Sequence, residues 1–196
     1  MIKILYIHSL SSSGASNTVN NLRAQLPEGR VIAPDLPLCP YEALKQLKAI
    51  CQSESPDVVV GVSMGGMFAQ HLHGYKKILI NPTFNMSSVL KKSVGVHPFF
   101  SPRKDGVMKY EVTEELCNKY AALELVQFRG VTDFDKKHTY GFFAKNKAII
   151  NCEEEYRKHY TNVLYYQGAH RLRLSVLKNQ IIPLIRKIQE DAEILT

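Results

Sequence analysis

The chain has 196 residues, of which 45% are hydrophobic and 22% are charged. This length allows one domain with a sizeable core and is short for two. Apolar residues come in runs of about four to eight, well below the ~18 or more that a membrane span needs, and Gly and Pro are near average usage. We therefore expect a single folded domain over residues 1–196 and no membrane-spanning, collagen-like or disordered chain.

Charge and cysteine content bear on partners and compartment. The first eight residues predict a buried strand rather than a signal peptide, because the apolar run is short and no small-residue cleavage site follows it. The four cysteines form no CxxC pair and have no His at zinc-finger spacing, so free thiols in the cytoplasm are the simplest expectation. The net charge of +7 would attract anions. Without a helix-turn-helix, zinc-finger or RNP signature, a solvated basic surface is favoured over a nucleic-acid site.

Apolar, β-branched runs alternate with helix-like stretches along the chain. The predicted strands are residues 2–7, 31–33, 58–62, 78–80, 139–143 and 163–166. The predicted helices are residues 41–52, 64–73, 113–123, 153–159 and 172–188, with Pro183 expected to kink or break the last one. This alternation predicts an α/β fold with a mostly parallel sheet and helices on both faces.

Residues 82–129 interrupt the alternation. The segment shows no clear strand and contains Gly, Pro, Ser and Lys clusters. An irregular insertion of this length in a compact domain is typical of a lid or binding loop, or of partial disorder. We expect it to determine substrate specificity.

A nucleophile elbow is the strongest chemical signal. The strand 58–62 runs into Gly61-Val62-Ser63-Met64-Gly65, and an amphipathic helix follows. Glycines two residues before and after the serine let the backbones pass at a strained turn that exposes the hydroxyl. The start of the helix brings N–H groups beside Ser63, and the N–H of Met64 is the first candidate oxyanion donor. The pattern also occurs by chance, but its position between a strand and a helix favours the catalytic interpretation.

Two further loops follow strands at the edge where α/β sheets bind ligands. The loop after the first strand is rich in Ser and Gly, and the N–H of Leu10 is the candidate second oxyanion donor; an ordinary turn explains the same composition. His170 follows the last strand and a glycine turn, in the chain order of serine first and histidine last, and is the candidate general base. His71 and His73 stand two residues apart and cannot face one metal together, and H-E-x-x-H is absent, so no metal and no cofactor are expected.

Several short motifs carry a family resemblance over nearly the whole chain. They are Ile7-His8-Ser9, Ala33-Pro34-Asp35-Leu36-Pro37, the elbow at residues 61–66, Ile80-Asn81-Pro82 and Gly168-Ala169-His170. With these the chain resembles the α/β-hydrolase superfamily and, within it, the small single-domain esterases of the YqiA/UPF0227 type. The resemblance implies an α/β-hydrolase fold and a cytoplasmic serine hydrolase acting on short esters or thioesters. Ser9 departs from it, because such proteins usually have Gly there.

The acid of a catalytic triad is the largest departure. The resemblance places it after the strand 139–143, where Asn146 and Lys147 stand instead. Glu153, at the start of the next helix, is the candidate acid, although a carboxylate is favoured at a helix N-terminus in any case. Asp133 and Asp135 precede the strand and rank low. Asp35 as a loop-fixing residue and Asp105 as a lid residue are weaker still.

Two functions from different classes remain. The leading hypothesis is a serine esterase or thioesterase in which Ser63 attacks an acyl carbonyl and His170 transfers the proton, with a small-molecule ester or thioester as its partner. The alternative is a non-catalytic ligand-binding module with a degenerate triad, favoured by Ser9 and the missing acid. Basic residues of segment 82–129 suggest an anionic substrate, and solvated lysines on a mobile lid explain them equally well. The sequence defines neither the natural substrate nor the oligomeric state.

Overall fold

The computed structural model of the chain describes residues 1–146 and 151–193. Its main feature is a six-stranded sheet in the order β2-β1-β3-β4-β7-β8, in which every neighbouring pair is parallel. The six strands are β1 (Lys3–Ile7), β2 (Arg30–Ile32), β3 (Val58–Val62), β4 (Lys76–Ile80), β7 (Thr139–Ala144) and β8 (Asn162–Tyr166). All six predicted strands are confirmed, with ends shifted by at most two residues. The central strands are apolar runs because both faces of a parallel sheet are covered.

Nine α-helices lie in the described residues. They are α1 (Asn17–Gln25), α2 (Pro40–Glu54), α3 (Met64–Gln70), α4 (Met86–Lys91), α5 (Glu114–Glu124), α6 (Asp133–His138), α7 (Glu153–His159), α8 (Leu174–Val176) and α9 (Ile182–Glu193). The break expected at Pro183 is present as a π-helical turn, Leu177–Ile181, between α8 and α9. The sequence did not predict α1, α4 or α6.

Two apolar cores lie on opposite faces of the sheet. Alternate residues of β1 show the division, since Leu5 packs into one core and Ile4 into the other. The first core takes side chains from α2, α3, α5 and α7, whereas the second takes them from α1 and the C-terminal helices. Helices therefore cover both faces, as the alternation predicted. Within the described ranges, no helix is long and apolar enough to cross a membrane.

The expectation that residues 82–129 hold no clear strand is wrong, whereas the helix predicted at residues 113–123 is confirmed as α5. The segment contains α4, α5 and an antiparallel hairpin made of β5 (Gly95–Pro98) and β6 (Lys109–Val112). The hairpin escapes prediction because both strands are short and alternate exposed residues with partly buried ones in β5 or buried ones in β6, so no apolar run marks them. Tyr110 and Val112 anchor it, because both are buried against the core.

Candidate active site

Ser63 lies at the turn between β3 and α3 and has a strained backbone. Its φ and ψ are 54° and −116°, a backbone conformation that residues other than Gly rarely adopt. A Cβ atom on Gly61 would lie 2.3 Å from the carbonyl oxygen of Gly65, and one on Gly65 would lie 2.1 Å from that of Ile7. Both glycines are therefore required where the backbones cross. The elbow geometry expected from the sequence is present.

His170 lies in the loop after β8 and faces Ser63. Its Nε2 atom is 3.2 Å from Ser63 Oγ, which is hydrogen-bond distance. Burial lowers the pKa of His170, so the imidazole is neutral at neutral pH and can accept a proton. The structure therefore brings together the predicted nucleophile and the predicted base.

A second hydroxyl contacts that of Ser63. Thr83 is fully buried, and its Oγ1 lies 3.1 Å from Ser63 Oγ. Its N–H also donates to the carbonyl of Ser63 at 3.1 Å. If Ser63 donates its proton to His170, the Thr83 hydroxyl donates to Ser63, and the three groups form one chain of hydrogen bonds.

The histidine loop is fixed through its main chain. The side-chain amide of Asn81 donates to the carbonyl of His170 at 2.9 Å and to the hydroxyl of Tyr166. Tyr166 in turn donates to the carbonyl of Ala169 at 3.0 Å. Asn81 is buried and has a positive φ of 41°, a conformation that Asn tolerates better than most residues.

No carboxylate in the part of the chain that the structure describes pairs with the His170 imidazole. Within the described residues, the Nδ1 atom of His170 is buried and has no hydrogen-bond partner. Glu153, the candidate acid, instead accepts from Arg157 at 2.9 Å and from the hydroxyl of Tyr165, so the structure does not bring it to His170. Asn146 is exposed, and Lys147 lies outside the described residues.

The aspartates considered from the sequence also lie away from His170. Asp135 is buried beneath the amino ends of the strands, where it pairs with Lys77 at 2.7 Å. Asp133 forms a surface ion pair with Lys136. Asp35 accepts from the N–H groups of Gly14 and Lys104, each at 2.7 Å, and so fixes two loops. Asp105 pairs with Arg103.

A cavity of about 500 Å³ opens beside the dyad and has both polar and apolar walls. It is lined by the loop after β1, the start of α1, the hairpin tip and the histidine loop; the residues are Tyr6, Ser9, Leu10, Ser11, Ser12, Ser16, Asn17, Thr18, Val62, Ser63, Phe100, Ser101, His170, Arg171 and Leu172. Leu10, one of the two predicted oxyanion donors, lines this cavity, and Met64 directly follows Ser63 at the start of α3.

The hairpin is tied to the loop that carries Leu10. Phe100 N–H donates to the carbonyl of Ser11 at 2.8 Å, and the Ser11 hydroxyl lies 2.6 Å from that of Tyr110. Ser13 donates to the carbonyl of Pro102 at 2.5 Å. The hairpin therefore forms one wall of the cavity and supports the loop opposite the nucleophile.

The other histidines have structural surroundings. His8 is buried, with Nδ1 2.7 Å from the carbonyl of Ser9 and Nε2 accepting from the N–H of Leu36. Burial lowers the pKa of His71 to about 4, and His73 contacts Asp135 at the other edge of the sheet. No group of three or more His, Cys, Asp or Glu side chains within residues 1–146 and 151–193 is arranged to hold a metal ion.

The sequence profile of the uncharacterised protein family UPF0227 matches residues 3–130. The chain belongs to this family. The matched part of the UPF0227 chain contains the elbow, the loop after β1 and the turn at residues 81–83, and it ends before His170. No curated protein matches the UPF0227 chain in sequence.

Solved structures with the same fold are distant in sequence. Est1E from Butyrivibrio proteoclasticus superimposes with a TM-score of 0.68 and 11% identity, over 96% of this UPF0227 chain and 88% of that protein. Alpha/beta hydrolase domain-containing protein 10 from mouse gives 0.63 and 13%, over 99% and 90%. The thioesterase domain from the curacin biosynthetic pathway gives 0.60 and 14%, over 95% and 91%. The UPF0227 chain has the α/β-hydrolase fold.

Sequence reasoning did not find the roles of two residues in the UPF0227 site. Asn81 was part of the Ile80-Asn81-Pro82 motif, but the motif alone does not indicate that its amide reaches residue 170. Thr83 is part of none of the motifs, and its contact with Ser63 depends on how two neighbouring strands end. A polar residue just past a buried strand, at the edge that carries the nucleophile, is the signal that would have identified both.

Proposed function

We propose that the protein is a serine hydrolase that cleaves a small carboxylic ester or thioester. The observation that carries the proposal is the 3.2 Å contact between Ser63 Oγ and His170 Nε2 at a strained elbow that opens into a cavity. A neutral histidine in hydrogen-bond contact with a serine hydroxyl is the arrangement that activates a weak nucleophile. The esterase and thioesterase among the similar structures support the same reaction class.

The reaction follows from the contacts. Ser63 Oγ attacks the acyl carbonyl carbon while its proton passes to His170 Nε2. The N–H groups of Met64 and Leu10 stabilise the negative oxygen of the tetrahedral intermediate. His170 then protonates the leaving alcohol or thiol, and a water molecule, deprotonated by His170, releases the acyl group from Ser63.

The lack of a carboxylate where the family resemblance places the triad acid determines the turnover that we expect. In serine proteases, replacing the buried aspartate with asparagine lowers turnover by about 10⁴, because the histidine loses its tautomer and orientation. His170 has no described partner at Nδ1. We therefore expect slow turnover of activated esters and a strong dependence on how the histidine loop is positioned.

The remaining assignments belong to the same proposal. Residues 82–129 act as a lid or specificity segment, since Phe100 and Ser101 line the cavity. The four cysteines are free thiols, which fits a reducing cytoplasm. The partner is the small-molecule substrate, with no requirement for a cofactor.

The second candidate is a ligand-binding module that keeps the fold. Among the described residues His170 Nδ1 has no acceptor, which favours this candidate, because a histidine without an acceptor at Nδ1 is not locked in the tautomer that a general base needs. The same cavity of about 500 Å³ would then hold a ligand without cleaving it.

Initial rates on p-nitrophenyl esters of increasing acyl length distinguish the two candidates. Wild-type turnover that disappears in Ser63→Ala and in His170→Ala establishes the dyad. Ser53→Ala, at an exposed serine of α2, is the matched control and leaves the rate unchanged. A fluorophosphonate that labels wild type but not Ser63→Ala gives an independent reading of the nucleophile. Rates no higher than those of Ser63→Ala on any ester, with no labelling, would favour the binding module.

A further inference from the structure

The turn of residues 81–83, here called the clamp turn, directly follows β4 and contacts both members of the dyad. β4 lies between β3, which leads to Ser63, and β7, whose other neighbour β8 leads to His170. A turn at the end of β4 therefore lies between the two loops that carry the catalytic side chains. Each end of the clamp turn is bonded to one of them.

The Thr83 end fixes the nucleophile. Its hydroxyl lies 3.1 Å from Ser63 Oγ, and its N–H donates to the Ser63 carbonyl at the same distance. These two bonds constrain both the side-chain rotamer and the main chain of a residue whose φ is already strained. Because Thr83 is fully buried, no water competes for its hydroxyl.

The Asn81 end fixes the base. Its amide donates to the carbonyl of His170 and to the hydroxyl of Tyr166, and its oxygen accepts from Ala144 N–H at 2.9 Å. The Asn81 N–H also donates to the carbonyl of Phe142 at 2.8 Å, so Asn81 is tied to β7 by two bonds. The side-chain bonds therefore reach β7, the end of β8 and the histidine loop.

Pro82 joins the two ends to the elbow helix. A Cβ atom built on Gly66 would lie 2.8 Å from Pro82 Cβ and 2.9 Å from Pro82 Cα. The clamp turn therefore packs directly against the backbone of α3, with no room for a side chain between them. The distance between the turn and the elbow is set by this contact.

We propose that the clamp turn positions both members of the dyad: Thr83 directs the Ser63 hydroxyl, and Asn81 with Tyr166 fixes the main chain of the loop that carries the His170 imidazole. Asn81 and Tyr166 are positioning residues, since they act through the main chain of residues 169 and 170. Thr83 contacts the reacting oxygen itself. The inference rests on the proposed function, because it assigns roles in that same dyad.

Thr83→Val tests the first end, because valine keeps the shape and removes the hydroxyl. We expect kcat to fall about tenfold, the effect of one hydrogen bond to a reacting group, while KM changes less than about twofold. Thr83→Ser keeps the hydroxyl and restores most of the rate. Thr139→Val is the matched control. Thr139 is also fully buried, its hydroxyl has no described partner, and it lies at the start of β7. We expect the kcat of this variant to stay at the wild-type value.

Asn81→Gly tests the second end, because glycine tolerates the positive φ of 41° and removes only the side-chain bonds. We expect kcat to fall about a hundredfold, the effect of a misplacement of about 1 Å at a reacting group. Tyr166→Phe keeps the bond from Asn81 to His170 and lowers kcat about fivefold. If Asn81→Gly does not fold, Tyr166→Phe and Thr83→Val still test the proposal.

A readout that needs no turnover separates this inference from the proposed function. The imidazole Cε1–H resonance of His170, assigned by comparison with His170→Gln, reports its pKa during a pH titration. Release of the loop in Asn81→Gly exposes the ring to water, so its pKa rises toward the ordinary value, whereas Thr139→Val leaves it depressed. An unchanged His170 titration in Asn81→Gly would overturn the role of Asn81, whether or not the wild type hydrolyses esters. Equal rates for Thr83→Val and wild type, where wild type is active, would overturn the role of Thr83.

Discussion

The buried pair of Lys77 and Asp135 allows a sharp prediction about stability. Both side chains have no exposed surface, and their charged atoms are 2.7 Å apart. Asp135 also accepts from the N–H and hydroxyl of Thr132 at 3.0 and 2.8 Å and from the N–H of Gly74 at 3.0 Å. Lys77 has one further acceptor, the carbonyl of Leu72 at 2.8 Å. Lys77 therefore depends on Asp135 for compensation of its charge more than Asp135 depends on Lys77.

This inequality sets the magnitudes. Asp135→Ala leaves a buried ammonium with one neutral acceptor, and we expect a loss of about 3–5 kcal/mol in the free energy of unfolding. Lys77→Met leaves a carboxylate that keeps three donors from Thr132 and Gly74 and its contact with His73, so the loss is smaller, about 1.5–3 kcal/mol for one charged hydrogen bond. Lys77→Met combined with Asp135→Leu removes both charges and costs less than the sum of the two single losses.

Urea denaturation of the four proteins measures these differences, with midpoints compared at constant m. Because the pair lies beneath the amino ends of the strands, the kcat of each folded variant on a p-nitrophenyl ester stays at the wild-type value. A loss below about 1 kcal/mol in Asp135→Ala, or a double variant whose loss equals the sum, would refute the reasoning. A selective fall in kcat with intact stability would instead place Asp135 in the catalytic machinery.

Three other predictions concern the elbow, acid stability and the missing acid. Gly65→Ala places a Cβ 2.1 Å from the carbonyl oxygen of Ile7 and 2.8 Å from that of His8, so we expect circular dichroism to show loss of folding. Gly74→Ala has open space around its Cβ but a φ of 80°, and we expect it to lower the free energy of unfolding by only about 1 kcal/mol. Equal losses in the two variants would contradict this. Burial lowers the pKa of His71 from 6.5 to about 4, so the unfolded chain takes up its proton first and stability falls as the pH drops from 6.5 toward 4. His71→Leu removes this titration, so we expect its urea midpoint to change less between pH 6.5 and 4 than that of wild type. The same change of midpoint with pH in both proteins would show that His71 is not the cause. Asn146→Asp places a carboxylate where the family resemblance expects the acid and raises turnover of p-nitrophenyl acetate about tenfold or more; no increase would mean that position 146 does not reach Nδ1.

The sheet and the dyad could be predicted because their signals are local. A fully buried parallel strand requires a continuous apolar run, and residues 58–62 show one directly before the elbow. Gly61 and Gly65 mark the backbone crossing at which Ser63 lines the cavity, and the prediction needs only five consecutive residues. His170 followed from chain order and its place after the last strand.

The elements that were missed lack such local signals. Helix α1 buries only Val19 and Leu22, and α6 buries only Asp135, so neither has the apolar stripe that identifies a helix. Their polar caps, Ser16 and Thr132, fix their starts instead. Short helices of this kind depend on tertiary contacts.

The sequence alone cannot decide which carboxylate, if any, pairs with His170. Glu153 is at a suitable position along the chain, but its carboxylate is occupied by Arg157, one helical turn away, and by Tyr165 on the neighbouring strand. The competition between these partners and His170 depends on side-chain directions that only the folded chain defines. The roles of Asn81 and Thr83 were hidden for the same reason, since each acts on a residue from another part of the chain.

Hydrogen bonds between the hairpin and the loop after β1 link access to the cavity with the position of Leu10. Phe100, Tyr110 and Pro102 hold the Ser11–Ser13 region directly beside Leu10, the candidate oxyanion donor. Movement of the hairpin either breaks these bonds, at about 1 kcal/mol each, or displaces the donor with it. In the proposed mechanism, access to the cavity and the alignment of Leu10 therefore change together, and a molecule that displaces the hairpin outward would inhibit hydrolysis without contacting Ser63.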